Sequence, residues 1–575
     1  MPRYVQAAPE LTDPYASDTV AQSYVDRYVP ADATGAAHAR LAGLGADIQT
    51  SLRAAHTDAE THPPLLRQYD AYGRRVDRIE TAPGWEAQRV AAARHAVVAL
   101  PYLPEERARY GAAARVVQHA VLHLYGAESA TFSCPVAMSD GAAALLSRPD
   151  VDASVRAAWL PRLLSTDPDT AICSGQWMTE SQGGSDISRS TTTARPADDT
   201  AHEAAAAGDW RLTGEKWFCS AADSAMAVAL ARPEGAAGGS RTLAPFVVPR
   251  YDTDGWSPAP GVRLHRLKDK LGTRAVPTAE IGLDGATAYP VGDPHSGGLR
   301  RMMTLVVVIR LHNAAAAAGG MRRGLDYTLA YARARQVAGG QLIDNPLHRA
   351  TLAQLAVEAE AAYCLTAHAF ALLGRVEAAG ETGGEAGGAE TAAAELRLVA
   401  PLAKIATGKA AVASASEYLE CFGGAGFVED TGIPRLLRDA QVLPIWEGTT
   451  NVLSVDVARA LGEHDTVKAY VERIDAGIDV AAHLPGGDVA AALLNARRAL
   501  GAVLREPPAP AAARDTALLL ARTLTGVLLA EHAGYEWARG DEHGAAVASL
   551  WAARHLDRED TGASAAAQFE LVLRS

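Results

Sequence analysis

A single carboxylate, Glu447, stands in a short segment that combines apolar side chains, glycine and hydroxyl groups, residues 444–451. It lies eight residues after Asp439. Apolar neighbours such as Ile445 and Trp446 remove water, and desolvation raises the pKa of a carboxylate toward the range in which it can accept a proton from carbon. On its own, such a residue is equally well explained as a solvated acid. The segment therefore indicates a general base only if other segments support it.

Three further segments could hold a ligand. Residues 174–186 contain the pair Gly183 and Gly184 among hydroxyl side chains, and glycine lets a backbone approach a planar or phosphorylated ligand closely. Residues 418–427 form a glycine-rich turn whose N–H groups could cradle a pyrophosphate. Residues 216–220 place aromatic side chains in a predicted strand. Each has a structural explanation too: a surface loop, the end of a helix, and a sheet core. The interpretation that they bind a ligand therefore depends on the occurrence of all three in one chain.

The elements that must position these segments change along the chain. Hydrophobic spacing predicts helices from about residue 41 to 165, short strands over 170–292, and helices again over 295–460. A further helical region follows after residue 465. The Thr-Gly-Glu sequence at 213–215 is predicted to be a hairpin turn between two strands. Further strands are predicted at residues 225–231, 244–248, 262–267 and 278–283.

Three segments have the composition of loops. Residues 377–395 are rich in Gly, Ala and Glu and are predicted to form a mobile loop between two helices, because they offer little apolar surface to bury. Residues 196–208 and 233–240 are predicted to be smaller surface loops for the same reason.

Composition excludes several classes of protein. The chain has 575 residues, 48% of them hydrophobic and only 6% aromatic, with abundant alanine, which favours close-packed helices. Its net charge of −13 provides no general attraction to nucleic acid or anionic lipid. Five cysteines without a CxxC pair argue against a disulfide framework and against a metal site. Without a signal sequence or an apolar stretch of about 18 residues, we expect a cytoplasmic protein with no membrane span.

Common catalytic motifs are missing from the sequence. It contains no GxGxxG after a strand, no GxxxxGK[ST], no HExxH and no GxSxG. A Rossmann nicotinamide site, a P-loop, a zinc protease and an α/β-hydrolase therefore have no motif support.

The segments together resemble the acyl-CoA dehydrogenase superfamily over about residues 45–460. The resemblance rests on their order: MTE and GGSD within 178–186, KW at 216–217, KLG at 270–272, RDA at 438–440 and IWEGT at 445–449. Three features are similar to the AidB-like branch: Trp-Glu-Gly at the base, the sequence QYDAYGRR at 68–75, and an extra C-terminal helical region.

This resemblance implies a mainly α fold with a central β-barrel. The expected domains are an N-terminal extension (1–40), an N-terminal helical domain (41–169), a β-barrel domain (170–292), a four-helix bundle carrying flavin and base (293–460) and a C-terminal helical appendage (461–575). Family members assemble as homo-oligomers, usually as tetramers built from two dimers, so the same is expected here.

The activity implied by the resemblance is FAD-dependent α,β-dehydrogenation of an acyl thioester. Glu447 is expected to remove the α-proton while flavin N5 accepts the β-hydride, and the backbone N–H of Glu447 is expected to bind the thioester carbonyl oxygen. An electron-transfer protein is the expected acceptor. The implied cofactor-binding residues are Met178, Thr179, Ser185, Trp217, Cys219, Arg335, Gly423, Gly424, Thr449 and Asn451, and the implied substrate-binding residues are Arg310, Trp446 and Gly448.

Four positions depart from the family pattern. Ala338 replaces a phenylalanine and Cys219 a threonine, while Glu420 replaces a glutamine and Val307 an acidic residue. These departures leave open whether the acyl carrier is CoA or a carrier protein.

Other functions also stay open. They are a flavoprotein with weak activity that binds nucleic acid or fatty acyl groups, and a flavin oxidase or monooxygenase of secondary metabolism. Nucleic acid is the less favoured partner, since residues 466–575 contain 11 basic and 14 acidic side chains.

Overall fold

The structure, a computed structural model, divides into two compact units. The first comprises Met1–Thr50, Pro104–Ala127 and Asn313–Ser575, and the second comprises Ser51–Leu103 and Glu128–His312. The described residues are 8–197, 209–252, 255, 257–337, 339–382, 386–501, 503–506, 508–556 and 572–573.

All strands of the larger sheet lie in the second unit. Five of them close into a ring in the order β4, β5, β9, β7, β6, with β3 beside β6 and β8 beside β9. The predicted central β-barrel is thereby confirmed. The strands are β1 (Leu65–Tyr69), β2 (Arg75–Glu80), β3 (Ser174–Trp177), β4 (Thr193–Pro196), β5 (Trp210–Ser220), β6 (Met226–Pro233), β7 (Ala244–Pro249), β8 (Val262–Leu267), β9 (Thr278–Pro290), β10 (Gln336–Val337) and β11 (Gly340–Gln341).

The barrel core combines a few large aromatic side chains with many alanine and aliphatic ones. Trp210 and Phe246 pack with ring centroids 5.5 Å apart, and most of the remaining core positions are alanine or aliphatic. The four strands predicted from residue 225 onward are confirmed as β6, β7, β8 and β9.

The predicted hairpin turn at residues 213–215 is wrong, because β5 runs without a break through them. Gly214 has φ +154, and a Cβ there would lie 2.7 Å from the Cα of Thr192. The pairing of β5 with β9 shifts by one residue between Leu212 and Thr213. The glycine therefore marks a bulge with a close backbone approach, a common role of glycine inside a strand.

A β-hairpin at β1 and β2 lies inside the segment that was predicted to be helical. Its turn is closed by Asp70, whose carboxylate accepts hydrogen bonds from the backbone N–H groups of Tyr72 and Arg74, each at 2.9 Å. Arg75 donates to the backbone oxygen of Leu264 at 2.6 Å, which ties the hairpin to β8. The Asp-x-x-Gly sequence at residues 70–73 is typical of a turn and was the indication of this hairpin in the sequence.

Helices make up most of the first unit and are also present in the second. They are α1 (Thr19–Tyr28), α2 (Thr34–Asp47), α3 (Arg53–Thr61), α4 (Pro83–Arg94), α5 (Pro104–Tyr110), α6 (Ala114–Ala127), α7 (Ser133–Leu146), α8 (Ala153–Leu163), α9 (Gly298–Ala334), α10 (Pro346–Thr382), α11 (Ala386–Cys421), α12 (Ile433–Ala440), α13 (Thr450–Ala460), α14 (His464–Ala481), α15 (Asp488–Leu500), α16 (Ala513–Trp537) and α17 (His543–His555).

The C-terminal helices α14 to α17 belong to the same unit as α10 to α13. Helix α16 packs against α10, α11, α13, α14, α15 and α17. It also meets α1, where the rings of Tyr24 and His532 stack with centroids 3.7 Å apart and Ser23 donates to Glu536 at 2.7 Å. The appendage thus supports the helices that carry the predicted base.

Helices α9 and α11 contain the two stretches, among the residues described, that could cross a membrane by length and composition alone. Of these stretches 78% and 72% are buried inside the protein. Such burial is usual for the core helices of a folded protein, so they are weak evidence for a membrane span.

The predicted mobile loop at 377–395 is wrong for the residues described, since α10 continues to Thr382 and α11 begins at Ala386. Glu377 pairs with the buried Arg115 at 2.7 Å, and Glu395 contacts His368 at 2.6 Å. The high helix propensity of alanine and these buried pairs outweigh the cost of the glycines.

The two smaller predicted loops have different outcomes. Residues 234–239 form the turn between β6 and the following short helical turn, as predicted. Residues 198–208 of the other loop lie outside the described residues, as does Ala338.

Candidate functional site

The predicted site residues fall into two groups, one in each unit. The second unit holds Met178, Thr179, Ser185, Trp217, Cys219 and Arg310. The first unit holds Arg335, Gly423, Gly424, Trp446, Glu447, Gly448, Thr449 and Asn451.

The segment after β3 forms a tight, exposed turn. The backbone of Glu180 bridges to Gly183, which has φ +118. A Cβ on Gly184 would lie 2.8 Å from the Oγ1 of Thr179, so only glycine lets the chain fold back over that hydroxyl. Trp217 donates its backbone N–H to the oxygen of Thr179 at 2.9 Å, which fixes the turn to β5. Met178 is half-buried here and Ser185 is exposed.

A buried ion pair between Lys216 and Glu180 supports this turn. The ammonium of Lys216 lies 2.9 Å from a carboxylate oxygen of Glu180 and 2.7 Å from the backbone oxygen of Leu230. Glu180 also accepts hydrogen bonds from the backbone N–H and hydroxyl groups of Thr191 and Thr192, at 2.6 to 3.1 Å. Both members of the pair are almost wholly buried. A buried charge must be paired in this way to be tolerated.

The pair also sets the protonation of both groups. Burial raises the pKa of the Glu180 carboxyl, but the charge of Lys216 and the hydrogen bonds from the threonines outweigh it and hold that pKa well below its usual range. Burial lowers the pKa of Lys216, and the charge of Glu180 partly offsets this effect. No role was predicted for Glu180, because a sequence pattern does not show which acidic residue is buried beside which basic one.

The end of β5 presents its side chains to two different environments. Trp217 is half-buried, and the ammonium of Lys268 lies 3.4 Å from its ring centroid. Phe218 is 57% exposed. Cys219 is fully buried in the barrel core, and burial raises the pKa of its thiol well above the usual range. The prediction that the Cys219 thiol contacts a cofactor does not agree with this position. No role was predicted for Phe218, whose aromatic ring is the more accessible one.

Arg310 lies on α9, and only 9% of it is exposed. The same helix packs closely on α7, where a Cβ on Gly141 would lie 2.9 Å from Leu305 and 3.0 Å from Ile309. Little of the Arg310 side chain is therefore accessible for substrate binding in this structure.

Glu447 has a strained backbone. The chain leaves α12 through successive turns, in which Ile445 and Trp446 both donate to the oxygen of Val442, at 2.8 and 3.0 Å. Glu447 then adopts φ +55, followed by Gly448 at φ +110. A left-handed conformation costs a residue with a Cβ roughly 1–2 kcal/mol. Strain of this kind persists where the surroundings enforce it, and it is concentrated at functional sites.

Helix α11 holds the strained turn in place. Lys404, which is only 1% exposed, donates from its ammonium to the backbone oxygen of Gly448 at 2.6 Å. One turn further along, a Cβ on Gly408 would lie 3.3 Å from the carbonyl of Leu443. Lys404 was missed at the sequence level, where a lysine on an alanine-rich helix suggests a solvated side chain.

The residues around the base differ in accessibility. Trp446 is half-buried and Ile445 is 58% exposed. Thr449 is exposed and immediately precedes α13. Asn451 is exposed, and its side-chain oxygen accepts a hydrogen bond from Arg514 of α16 at 3.3 Å.

The glycine-rich turn after α11 leaves an open surface. A Cβ on Gly423 or Gly424 would meet no atom within 4 Å, and both residues are exposed. A Cβ on Gly426, in contrast, would lie 2.0 Å from the backbone oxygen of Leu419. Gly426 is thus needed for the fold of the turn, whereas the first two glycines leave room for a ligand.

Arg335 lies at the end of α9, in the same region. The rings of Tyr331 and Phe422 stack with centroids 4.2 Å apart, which joins this end of α9 to the glycine-rich turn. Arg335 is exposed, and its backbone N–H donates to Tyr331 at 2.8 Å. An exposed guanidinium and an exposed glycine-rich turn in the same unit suit the phosphates of a dinucleotide.

Family models cover most of the chain. Residues 6–170 match the N-terminal domain of the adaptive response protein AidB, residues 175–286 the acyl-CoA dehydrogenase middle domain, and residues 296–462 the acyl-CoA dehydrogenase C-terminal domain.

Individual relatives agree with these matches. Acyl-CoA dehydrogenase family member 11 of Caenorhabditis elegans is 36% identical over 92% of this chain and 86% of its own. The AidB protein of Escherichia coli (strain K12) is 34% identical over 72% of this chain and 73% of its own. Among solved structures, C. elegans ACDH-11 in complex with C11-CoA has a TM-score of 0.89 and 33% identity, covering 97% of this chain and 93% of that one. The chain therefore belongs to the acyl-CoA dehydrogenase family, with an AidB-type N-terminal domain.

Proposed function

We propose that this FAD-dependent acyl-CoA dehydrogenase uses Glu447 as the base that removes the α-proton of its acyl thioester. The observation that carries the assignment is the backbone of Glu447, held at φ +55 by a buried lysine and a close helix contact. Seven of the described non-glycine residues have a positive φ, and Glu447 is the one among them that lies in the predicted catalytic motif. The sequence motif and this backbone conformation both support Glu447 as the base.

The chain's own groups supply proton transfer and orientation. The Glu447 carboxylate accepts the α-proton, and its backbone N–H donates to the thioester oxygen as negative charge develops there. Trp446, which is half-buried, is expected to limit access of water to the carboxylate. When bound, FAD supplies the acceptor for the β-hydrogen, which leaves as hydride.

Several surfaces fit FAD. In the first unit, exposed Gly423 and Gly424 and the Arg335 guanidinium suit the diphosphate. In the second unit, the turn at 181–186 and the accessible ring of Phe218 suit the flat isoalloxazine ring. We accordingly propose Phe218, rather than Trp217, as the aromatic residue on the flavin.

We propose CoA as the acyl carrier. Support comes from the C. elegans structure, which was determined with C11-CoA and is similar over 97% of this chain. A carrier-protein substrate remains the alternative, and a CoA thioester of similar chain length is the first substrate to test.

We also propose that the protein is a homo-oligomer. Large apolar side chains are exposed around the glycine-rich turn and the β10–β11 hairpin, and such a patch on a folded chain marks an interaction surface. A second copy of the chain would cover it. The exposed side chains are Val337 (44%), Leu347 (80%), Phe427 (89%) and Val428 (48%).

The proposed activity is tested with the purified, FAD-loaded protein and acyl-CoAs of graded length. We expect anaerobic addition of a preferred acyl-CoA to bleach the flavin absorbance and to yield the α,β-unsaturated thioester. Colour that returns only after an artificial electron acceptor is added supports a dehydrogenase, while rapid return in air identifies an oxidase. Failure of every CoA thioester to bleach a flavin that dithionite still reduces would contradict the proposal.

A pair of glycine variants tests the FAD surface. Gly424→Ala adds a methyl group in open space, so stability should be unchanged, while FAD affinity falls by about tenfold because the methyl group occupies the cofactor's place (a loss of about 1.4 kcal/mol). Gly426→Ala forces a clash with Leu419 and should destabilise the turn. FAD titration of the apoprotein and thermal unfolding separate the two effects. Unchanged FAD affinity in Gly424→Ala would remove this turn from the cofactor site.

A further inference from the structure

We infer that Lys404 is a positioning residue for the base: through the Gly448 carbonyl it holds the backbone turn that presents the Glu447 carboxylate. The inference rests on the proposed role of Glu447. It concerns the conformation of the turn, however, so it can be measured separately from activity.

The first argument is the burial of a cation. Lys404 is 1% exposed, and its ammonium lies 2.6 Å from the oxygen of Gly448. Moving an ammonium out of water is costly, and a lysine whose only task is packing would be replaced by an apolar side chain without loss. A charge-assisted hydrogen bond to a backbone oxygen is short and strong, and it fixes the plane of that peptide.

The second argument is the conformation of the residues held. Glu447 and Gly448 follow each other at φ +55 and φ +110. Without an anchor, Glu447 would gain free energy by returning to an ordinary negative φ. That rotation would carry its carboxylate away from its present direction. The bond from Lys404 opposes this relaxation at the next residue along the chain.

The third argument is that one face of α11 contacts both ends of the segment. Lys404 and Gly408 are four residues apart and so lie on the same face. Lys404 binds Gly448 after the base, and the missing side chain of Gly408 admits Leu443 before it, at 3.3 Å from where a Cβ would lie. Glu447 is thus presented between two points fixed by one rigid helix.

The experiment compares Lys404→Met with Lys409→Met. The two substitutions are chemically identical and lie on the same helix, but Lys409 is exposed. Hydrogen–deuterium exchange is followed on peptides covering residues 442–452 of the FAD-loaded protein. We expect exchange to rise about tenfold or more in Lys404→Met, as loss of a charged hydrogen bond implies. Exchange in Lys409→Met should match the unmodified protein.

Flavin reduction by acyl-CoA gives the second readout. A misplacement of about 1 Å in a reacting group can lower a rate by about 100-fold. We therefore expect Lys404→Met to lose about that factor in the rate constant of reduction, with FAD content and acyl-CoA affinity retained. A structural role alone would lower FAD content and affinity together. Normal exchange and a normal rate in Lys404→Met would overturn the inference.

A second variant covers the case in which Lys404→Met fails to fold. Gln at position 404 keeps a donor but ends one bond short and carries no charge, so it should fold and give intermediate exchange and an intermediate rate. If Lys404→Gln behaved like the unmodified protein in both, the inference would be wrong. Should the unmodified protein reduce no flavin with any acyl-CoA, the proposed function fails, while the exchange data still decide the role of Lys404.

Discussion

Replacing Glu447 by glutamine is expected to lower the rate constant of flavin reduction by acyl-CoA by about 10⁴-fold, near the upper limit for loss of a general base. Glutamine has the same shape and backbone preference, so the strained turn at φ +55 should be retained. The amide, however, cannot accept the α-proton. Because no other group is assigned that task, little residual activity should remain.

The measurement is anaerobic stopped-flow reduction at saturating acyl-CoA. A matched control is Glu472→Gln, which makes the same change at a residue on α14 whose side chain is 59% exposed. We expect normal FAD content in both variants and a normal rate in the control. Reduction of Glu447→Gln at the normal rate would mean that another residue is the base.

The family and the location of the base could be predicted from the sequence because they depend on short motifs in a fixed order. The strands from residue 225 onward were predictable for a related reason, since each is a short apolar run with clear limits. Short motifs and apolar runs can be identified from neighbouring residues alone.

Other features depended on contacts between distant residues and could not be predicted. Gly214 looked like a turn residue, but the backbone of Thr192 approaches it from another strand. The segment 377–395 looked too polar to order itself, but Glu377 finds Arg115 more than 250 residues earlier in the chain. In both cases the structure depends on a partner that is distant in the sequence, so the residues on either side do not indicate it.

The supports of the candidate site were missed for the same reason. Lys404 and Lys216 are both almost fully buried, although lysine is among the residues least often found inside. Conversely, Cys219 was assigned to the cofactor by its position in a motif. The alternation of β5, which no motif records, directs its side chain into the barrel.

The buried pair leads to the second large expected effect. Glu180→Ala leaves the Lys216 ammonium inside the protein beside the backbone oxygen of Leu230, and we expect a loss of about 3–5 kcal/mol in the free energy of unfolding. Lys216→Met leaves Glu180 with four hydrogen bonds from Thr191 and Thr192. Its cost should be smaller, about 1–3 kcal/mol. The order of the two losses follows from this difference in remaining partners.

Acidification should reduce the loss of unfolding free energy that Glu180→Ala causes. The pKa of Glu180 is held below its usual range, so its contribution to stability is complete above the pKa of an unfolded glutamate and declines as pH falls below it. The alanine variant lacks this contribution at every pH, and the gap to the unmodified protein should therefore narrow on acidification.

Denaturant unfolding of the full chain, at neutral pH and again at a pH below the pKa of an unfolded glutamate (about 4), measures all of these differences. Asp284→Ala is the control, because it breaks an ion pair with Arg263 whose side chains are 65% and 54% exposed, and exposed pairs contribute little. FAD content should fall in Glu180→Ala, since the turn at 181–186 loses its support, and should be unchanged in the control. If Lys216→Met proved the more damaging change, the buried carboxylate rather than the ammonium would be the group that requires its partner.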